Sequence, residues 1–155
     1  MPAGYTIDTQ GSIAMAAATA KTILNVINSA TGLFRIVELS VSFDGVTATA
    51  VPAVVELCKS TQAGAGSGNT ATTPNQLRGA TRTIQLTASR NYATTEPTVL
   101  TVVKRWLVPV FNGLLVVQFP LGREPEMITA SNAYALRVTA PAVVNVAAYL
   151  EVEEG

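Results

Sequence analysis

Leu33-Phe34-Arg35-Ile36-Val37-Glu38-Leu39-Ser40-Val41-Ser42-Phe43-Asp44-Gly45 is the stretch on which the fold turns. Leu33, Arg35, Val37, Leu39, Val41 and Phe43 fall on one side of an extended chain, with Glu38, Ser40 and Ser42 on the other. Successive side chains of a strand point to opposite faces, so this period of two predicts a half-buried strand. Arg35 is the one dissonant position and is expected near the rim. Asp44-Gly45 closes the run with residues that tolerate positive φ.

Upstream, Lys21 to Asn28 also alternates, with Leu24 and Val26 opposed to Asn25. It is expected to pair with the strand starting at Leu33, across Ser29-Ala30-Thr31-Gly32. Ile13, Ala16, Ala17, Ala20, Ile23, Leu24 and Ile27 also fit a helical stripe, and alanine favours helix. Thr19, Thr22, Val26 and the period of two weigh against it, so residues 1–20 are expected to be an N-terminal arm or a first strand. Downstream, a strand follows Pro52 over Ala53 to Lys59, and another is expected over Thr81 to Ala88. Thr98 to Phe111 and Leu114 to Phe119 flank Asn112-Gly113, a strong hairpin signal. Tyr134 to Thr139 and Val143 to Val152 complete the set. In the last of these Val144, Val146, Ala148, Leu150 and Val152 share one face. About seven to nine strands without intervening helices predict an all-β fold, an antiparallel β-sandwich or jelly roll. It is expected as a single domain over residues 21–155. Thr61 to Ala80, rich in Gly, Ala, Ser, Thr and Asn, is expected to be a long exposed loop.

Composition narrows the function. The 155 residues carry ten Lys+Arg against ten Asp+Glu, and charged residues make up only 13%. A neutral chain has no basic field for nucleic acid or for an anionic membrane surface, so neither is expected as a partner. The apolar runs Trp106 to Leu115 and Val143 to Leu150 fall well short of the roughly 20 residues that cross a bilayer as a helix. Met1 to Asp8 lacks both the basic and the apolar region of a secretory signal. With 48% hydrophobic residues and zero formal charge, the surface favours self-association.

Reaction chemistry has few candidates. There is no histidine, the commonest general base and metal ligand. The single cysteine, Cys58, cannot close an internal disulfide and reads as a small packing residue on a strand. Glu124 and Glu126 flank Pro125, and Glu151, Glu153 and Glu154 crowd the C-terminal end; these read as a loop and a solvated tail. The run Gly64-Ala65-Gly66-Ser67-Gly68 leads into Asn69-Thr70 and Pro74 rather than a helix N-terminus, so it reads as a linker rather than a phosphate cradle. Trp106, with Tyr5, Tyr92, Tyr134 and Tyr149, offers either a sugar-stacking platform or packing, and packing is the stronger reading. No enzymatic activity, metal or cofactor is expected.

Two phrases carry a family resemblance. Phe43-Asp44-Gly45 with Ala50-Val51-Pro52-Ala53-Val54-Val55-Glu56-Leu57 resembles a phrase in small virion proteins of tailed bacteriophages. So does Gln118-Phe119-Pro120-Leu121-Gly122-Arg123-Glu124-Pro125 followed by Leu136-Arg137-Val138-Thr139-Ala140-Pro141. The likeness spans residues 21–154 and is to capsid decoration, or cement, proteins. It implies a β-sandwich or jelly-roll trimer made in the bacterial host cytoplasm and seated on the virion's capsid surface. Its partners would be the major capsid protein and further copies of itself. Candidate partner contacts are Tyr5, Ile7 and Ile13 in the N-terminal stretch, Gly64, Gly66 and Gly68 in the loop, and Arg123 and Glu124 in the second phrase. A receptor- or glycan-binding head of a fibre or tail appendage is the alternative.

Overall fold

The computed structural model describes residues 2–29, 31–62 and 66–155. Its strands are β1 (Ala3–Asp8), β2 (Ile13–Met15), β3 (Ala20–Asn28), β4 (Phe34–Phe43), β5 (Ala53–Gln62), β6 (Thr70–Thr72) and β7 (Asn75–Arg78). They continue as β8 (Leu86–Arg90), β9 (Thr98–Val108), β10 (Leu114–Gln118), β11 (Glu126–Met127), β12 (Ala133–Thr139) and β13 (Val144–Glu154). No helix occurs among the described residues. The first sheet runs β10-β4-β13-β1-β7, with β11 added to β4 and β2 to β13; the second runs β6-β8-β3-β12-β5-β9.

The pairings are nested. β5 pairs with β9, β4 with β10, β3 with β12 and β1 with β13, all antiparallel. The chain is therefore one long hairpin, and successive rungs of it go alternately to the two sheets. The nested pairs then join sideways, β13 to β4 and β12 to β5. That winding is a jelly roll, as found in capsid and lectin domains, and it separates this fold from immunoglobulin-like connectivity.

The core lies between the sheets. β13 alternates without interruption, its inward set Val144, Val146, Ala148, Leu150 and Val152 facing Tyr134, Leu136 and Val138 of β12 and Val55 and Leu57 of β5. Each fully buried side chain of this size stabilises the fold by about 1.5–3 kcal/mol. The Phe34 and Tyr134 rings meet edge to face at 6.3 Å.

Several expectations are corrected. β4 does not carry Leu33, Arg35 and Val37 inward. Phe34 and Ile36 face the core, Val37 is the extra residue of a β-bulge opposite Glu151 and Val152, and Leu39, Val41 and Phe43 then face inward. The bulge switches the parity of the strand, and Arg35 lies on the outer face, 3.6 Å from Glu126. β3 does not pair with β4; the turn between them crosses from one sheet to the other. Asn112-Gly113 makes no hairpin either, since β9 and β10 edge different sheets. Thr81 to Gln85 is not strand: the Gln85 N–H donates to the Glu154 carboxylate at 2.6 Å, which holds the segment across the end of β13. Of the two expectations for residues 1–20, arm or first strand, residues 3–8 take the second, hydrogen-bonded between β13 and β7. The expected loop over Thr61 to Ala80 includes the short strands β6 and β7, one on an edge of each sheet.

Candidate assembly surfaces

The outer face of the second sheet carries an ion-pair ladder. Arg137 on β12, Glu56 on β5 and Arg105 on β9 stand in direct register. Arg137 donates to Glu56 Oε2 through Nε at 2.8 Å, and Arg105 to Oε1 through Nε at 2.9 Å and Nη2 at 2.6 Å. Burial pushes the Glu56 carboxyl up, but the hydrogen bonds and charges of Arg137 and Arg105 together outweigh it and hold it below its ordinary value. Glu96 adds its negative charge near Arg137, opposite in sign to the two guanidiniums of the ladder. They line an open groove of about 720 Å³ with Ala20, Val54, Leu107 and Thr139.

Next to this groove the same face is covered by chain. Tyr92 Oη accepts from Asn25 Nδ2 at 3.0 Å, and the Glu96 carboxylate accepts the Thr22 N–H and hydroxyl. Cys58 is buried on this face, and burial, the largest influence, pushes its thiol up to about 11. Such a thiol is protonated and inert at neutral pH. A water-soluble disulfide reagent is therefore expected to modify Cys58 only after denaturant is added, and stoichiometric reaction of the folded protein would contradict this placement.

The outer face of the first sheet is acidic. It presents Asp8, Glu38, Glu126, Glu151 and Glu153 against Arg35 and Arg78, and these arginines are taken by Glu126 and Glu153. Glu38 and Glu151 stand directly opposite one another on β4 and β13. Glu38 accepts from the Tyr149 hydroxyl and from Gln118 Nε2, the latter at 2.6 Å. The hydrogen bond to Glu38 is also the main cause that raises the Tyr149 hydroxyl above its ordinary value. At the end of this face Asn145 donates its backbone and side-chain N–H groups to Asp44, which holds that carboxyl below its ordinary range.

Both faces end at the β9 and β10 edges, where apolar surface collects. Of twelve exposed large hydrophobic residues among the described residues, Val102, Val103, Leu107, Phe111, Leu114 and Val116 belong to the unit from β9 to β10. They lie along both edges, Leu107 on the outer face of the second sheet and Leu114 and Val116 on that of the first, and bare apolar side chains grouped in this way mark interaction surface. Trp106 is half-buried between these edges, in a groove with Lys104, Val117 and Phe119, and packs on the core.

The contact candidates read from the sequence are not gathered in one place. Tyr5, Ile7 and Ile13 are buried in the core. Gly64 lies outside the described residues. Gly66 and Gly68 adopt positive φ, with Tyr92 and Thr94 close against them. Arg123 is exposed and Glu124 half-buried in the connection from β10 to β11. Sequence reasoning missed Glu38, Glu151, Arg105, Arg137 and Leu107 as surface determinants. The signal was there as charges on strand faces, but only the register shows which of them meet.

No family model matches the chain, and no curated protein matches it. Among solved structures it is similar to the infectious bursal disease virus VP2 subviral particle, with 15% identity and a TM-score of 0.28. That match covers 98% of this chain and 41% of the VP2 chain, so this chain spans less than half the length of that protein.

Proposed function

We propose that the chain is a non-enzymatic structural protein of a virus particle, a capsid decoration protein that binds the outside of a phage head shell as an oligomer and stabilises it. The observation that carries this reading is the pairing of a jelly roll with a concentrated apolar edge at β9 and β10. The phrase resemblance around Phe43 to Leu57 and Gln118 to Pro125 supports it. A rigid sandwich is suited to bridging neighbouring capsid subunits: binding to the expanded shell alone stabilises that state by mass action. Many identical weak contacts on one oligomer become long-lived together. The major capsid protein and further copies of this chain are the partners of the reading, with a trimer as the expected oligomer. A glycan-binding head needs exposed aromatic rings at one end; Tyr5, Tyr92 and Tyr134 are buried, while Trp106 and Tyr149 are half-buried and Phe111 is exposed, so binding to a glycan array tests that alternative.

The test is co-sedimentation with expanded capsids lacking their decoration. Saturable binding at a fixed ratio to the capsid protein, with a higher temperature of shell disruption, is expected. Unsaturable or absent binding would remove the reading.

A further inference from the structure

Self-association is part of the decoration reading, and the position of the contact between copies rests on that reading. The two outer faces are complementary. Glu38 and Glu151 are like charges directly across a strand pair, an arrangement that is destabilising when left alone. Neither has a cationic partner among the described residues. Beside them on β10, Val116 is 52% exposed. On the opposite face Arg105 and Arg137 share Glu56, and Glu96 also acts on Arg137; the Arg105 side chain is 60% exposed, and Leu107 beside it is 66% exposed. Each patch thus joins charged side chains that water reaches, Glu38 and Glu151 on one and Arg105 on the other, to a bare apolar side chain, with the charges opposite in sign.

We propose that these patches are the two halves of one contact between copies of this chain. Glu38 and Glu151 of one copy meet Arg105 and Arg137 of the next, and Leu107 packs against Val116. Because the halves lie on opposite faces of the sandwich, the contact is heterologous: repeated, it closes a ring or runs on as a filament. Opposed charges of this kind fix partner and register. The rival contact, β9 pairing edge to edge with β9 of a second copy, is blunted by Lys104-Arg105 in mid-strand and by the bulge at Val103, both devices that protect free edges.

Cysteine cross-linking separates the two. Leu107→Cys and Val116→Cys are made singly and together; Cys58, buried and protonated, does not compete. Under mild oxidation the double variant is expected to form covalent oligomers. Each single variant is expected to stay monomeric on a non-reducing gel, and their equimolar mixture to give dimers only. Covalent dimers from Leu107→Cys alone would overturn the proposal in favour of the β9 edge. So would a double variant that fails to cross-link. Glu151→Lys, checked for folding by circular dichroism, is expected to weaken self-association roughly tenfold or more, and Glu151→Gln less; equal, small effects would also overturn it. Shell binding is read on the same proteins. Saturable shell binding by a chain that stays monomeric in solution overturns this contact and leaves standing only the shell-binding half of the decoration reading. Cross-linked rings that ignore shells do the reverse.

Discussion

Gly113→Ala is expected to cost about 3 kcal/mol, a fall of roughly 6–12 °C in Tm for a chain of this size. A Cβ at Gly113 would stand 1.6 Å from the Pro109 carbonyl oxygen, and at Gly45 2.3 Å from that of Val110. Both obstacles are backbone, so no side-chain rotation relieves them. The corner they form joins the sheets: Phe43 N–H donates to Gly113 O at 3.0 Å and Asn112 N–H to Gly45 O at 3.3 Å. Displacing it pulls β10 from β4. Gly122→Ala is the control, since nothing lies within 4 Å of its Cβ and only its φ of +80° opposes the change, worth about 1–2 kcal/mol. Thermal melts followed by circular dichroism compare them, and equal falls would show that the Gly113 corner yields freely.

Glu56→Gln is expected to destabilise the protein by about 2–3 kcal/mol at pH 7. Breaking a buried ion pair typically costs more, but the side chains of Arg105 and Arg137 are 60% and 23% exposed, so water softens the loss. The amide can accept from one guanidinium but turns its N–H₂ toward the other. The pH dependence has a definite sign. The folded Glu56 carboxyl is held below its ordinary value of 4.5, so its stabilisation is fully present above that pH and is lost as pH falls through the depressed folded value. Urea unfolding of both proteins at pH 7, 5 and 3 is expected to show a gap that is full at pH 7 and closes in acid. A gap constant with pH would rule out the ion pair as its source.

Single strands show how much of the fold was legible in the sequence. β13 was legible because Val144 to Val152 alternate without a break, and β5 and β12 were placed as apolar runs between turn signals. β4 was placed but its first half was turned over, because one extra residue at Val37 inverts every side chain before it and leaves no mark in the order of residues. Asn112-Gly113 reads as a hairpin in the sequence and is not one, because the same dipeptide also serves a corner between sheets. For Tyr5 and Ile7 the sequence does not separate an arm from a first strand, because their partners on β13 lie more than a hundred residues away. The assembly patches were hidden for that reason too: Glu38 and Glu151, or Arg105 and Arg137, become neighbours only through the nested pairing.

That nesting also sets a timetable. The innermost rung, β5 with β9, closes the shortest loop of the nested pairs, and the outermost, β1 with β13, has to wait for every strand between them. Such distant pairing makes folding slow, on the order of milliseconds to seconds. Glu151 and Arg137 sit on β13 and β12, downstream of every other strand described. A nascent chain therefore offers its neighbours no finished surface, and fragments that stop short are kept out of any assembly by their own incompleteness.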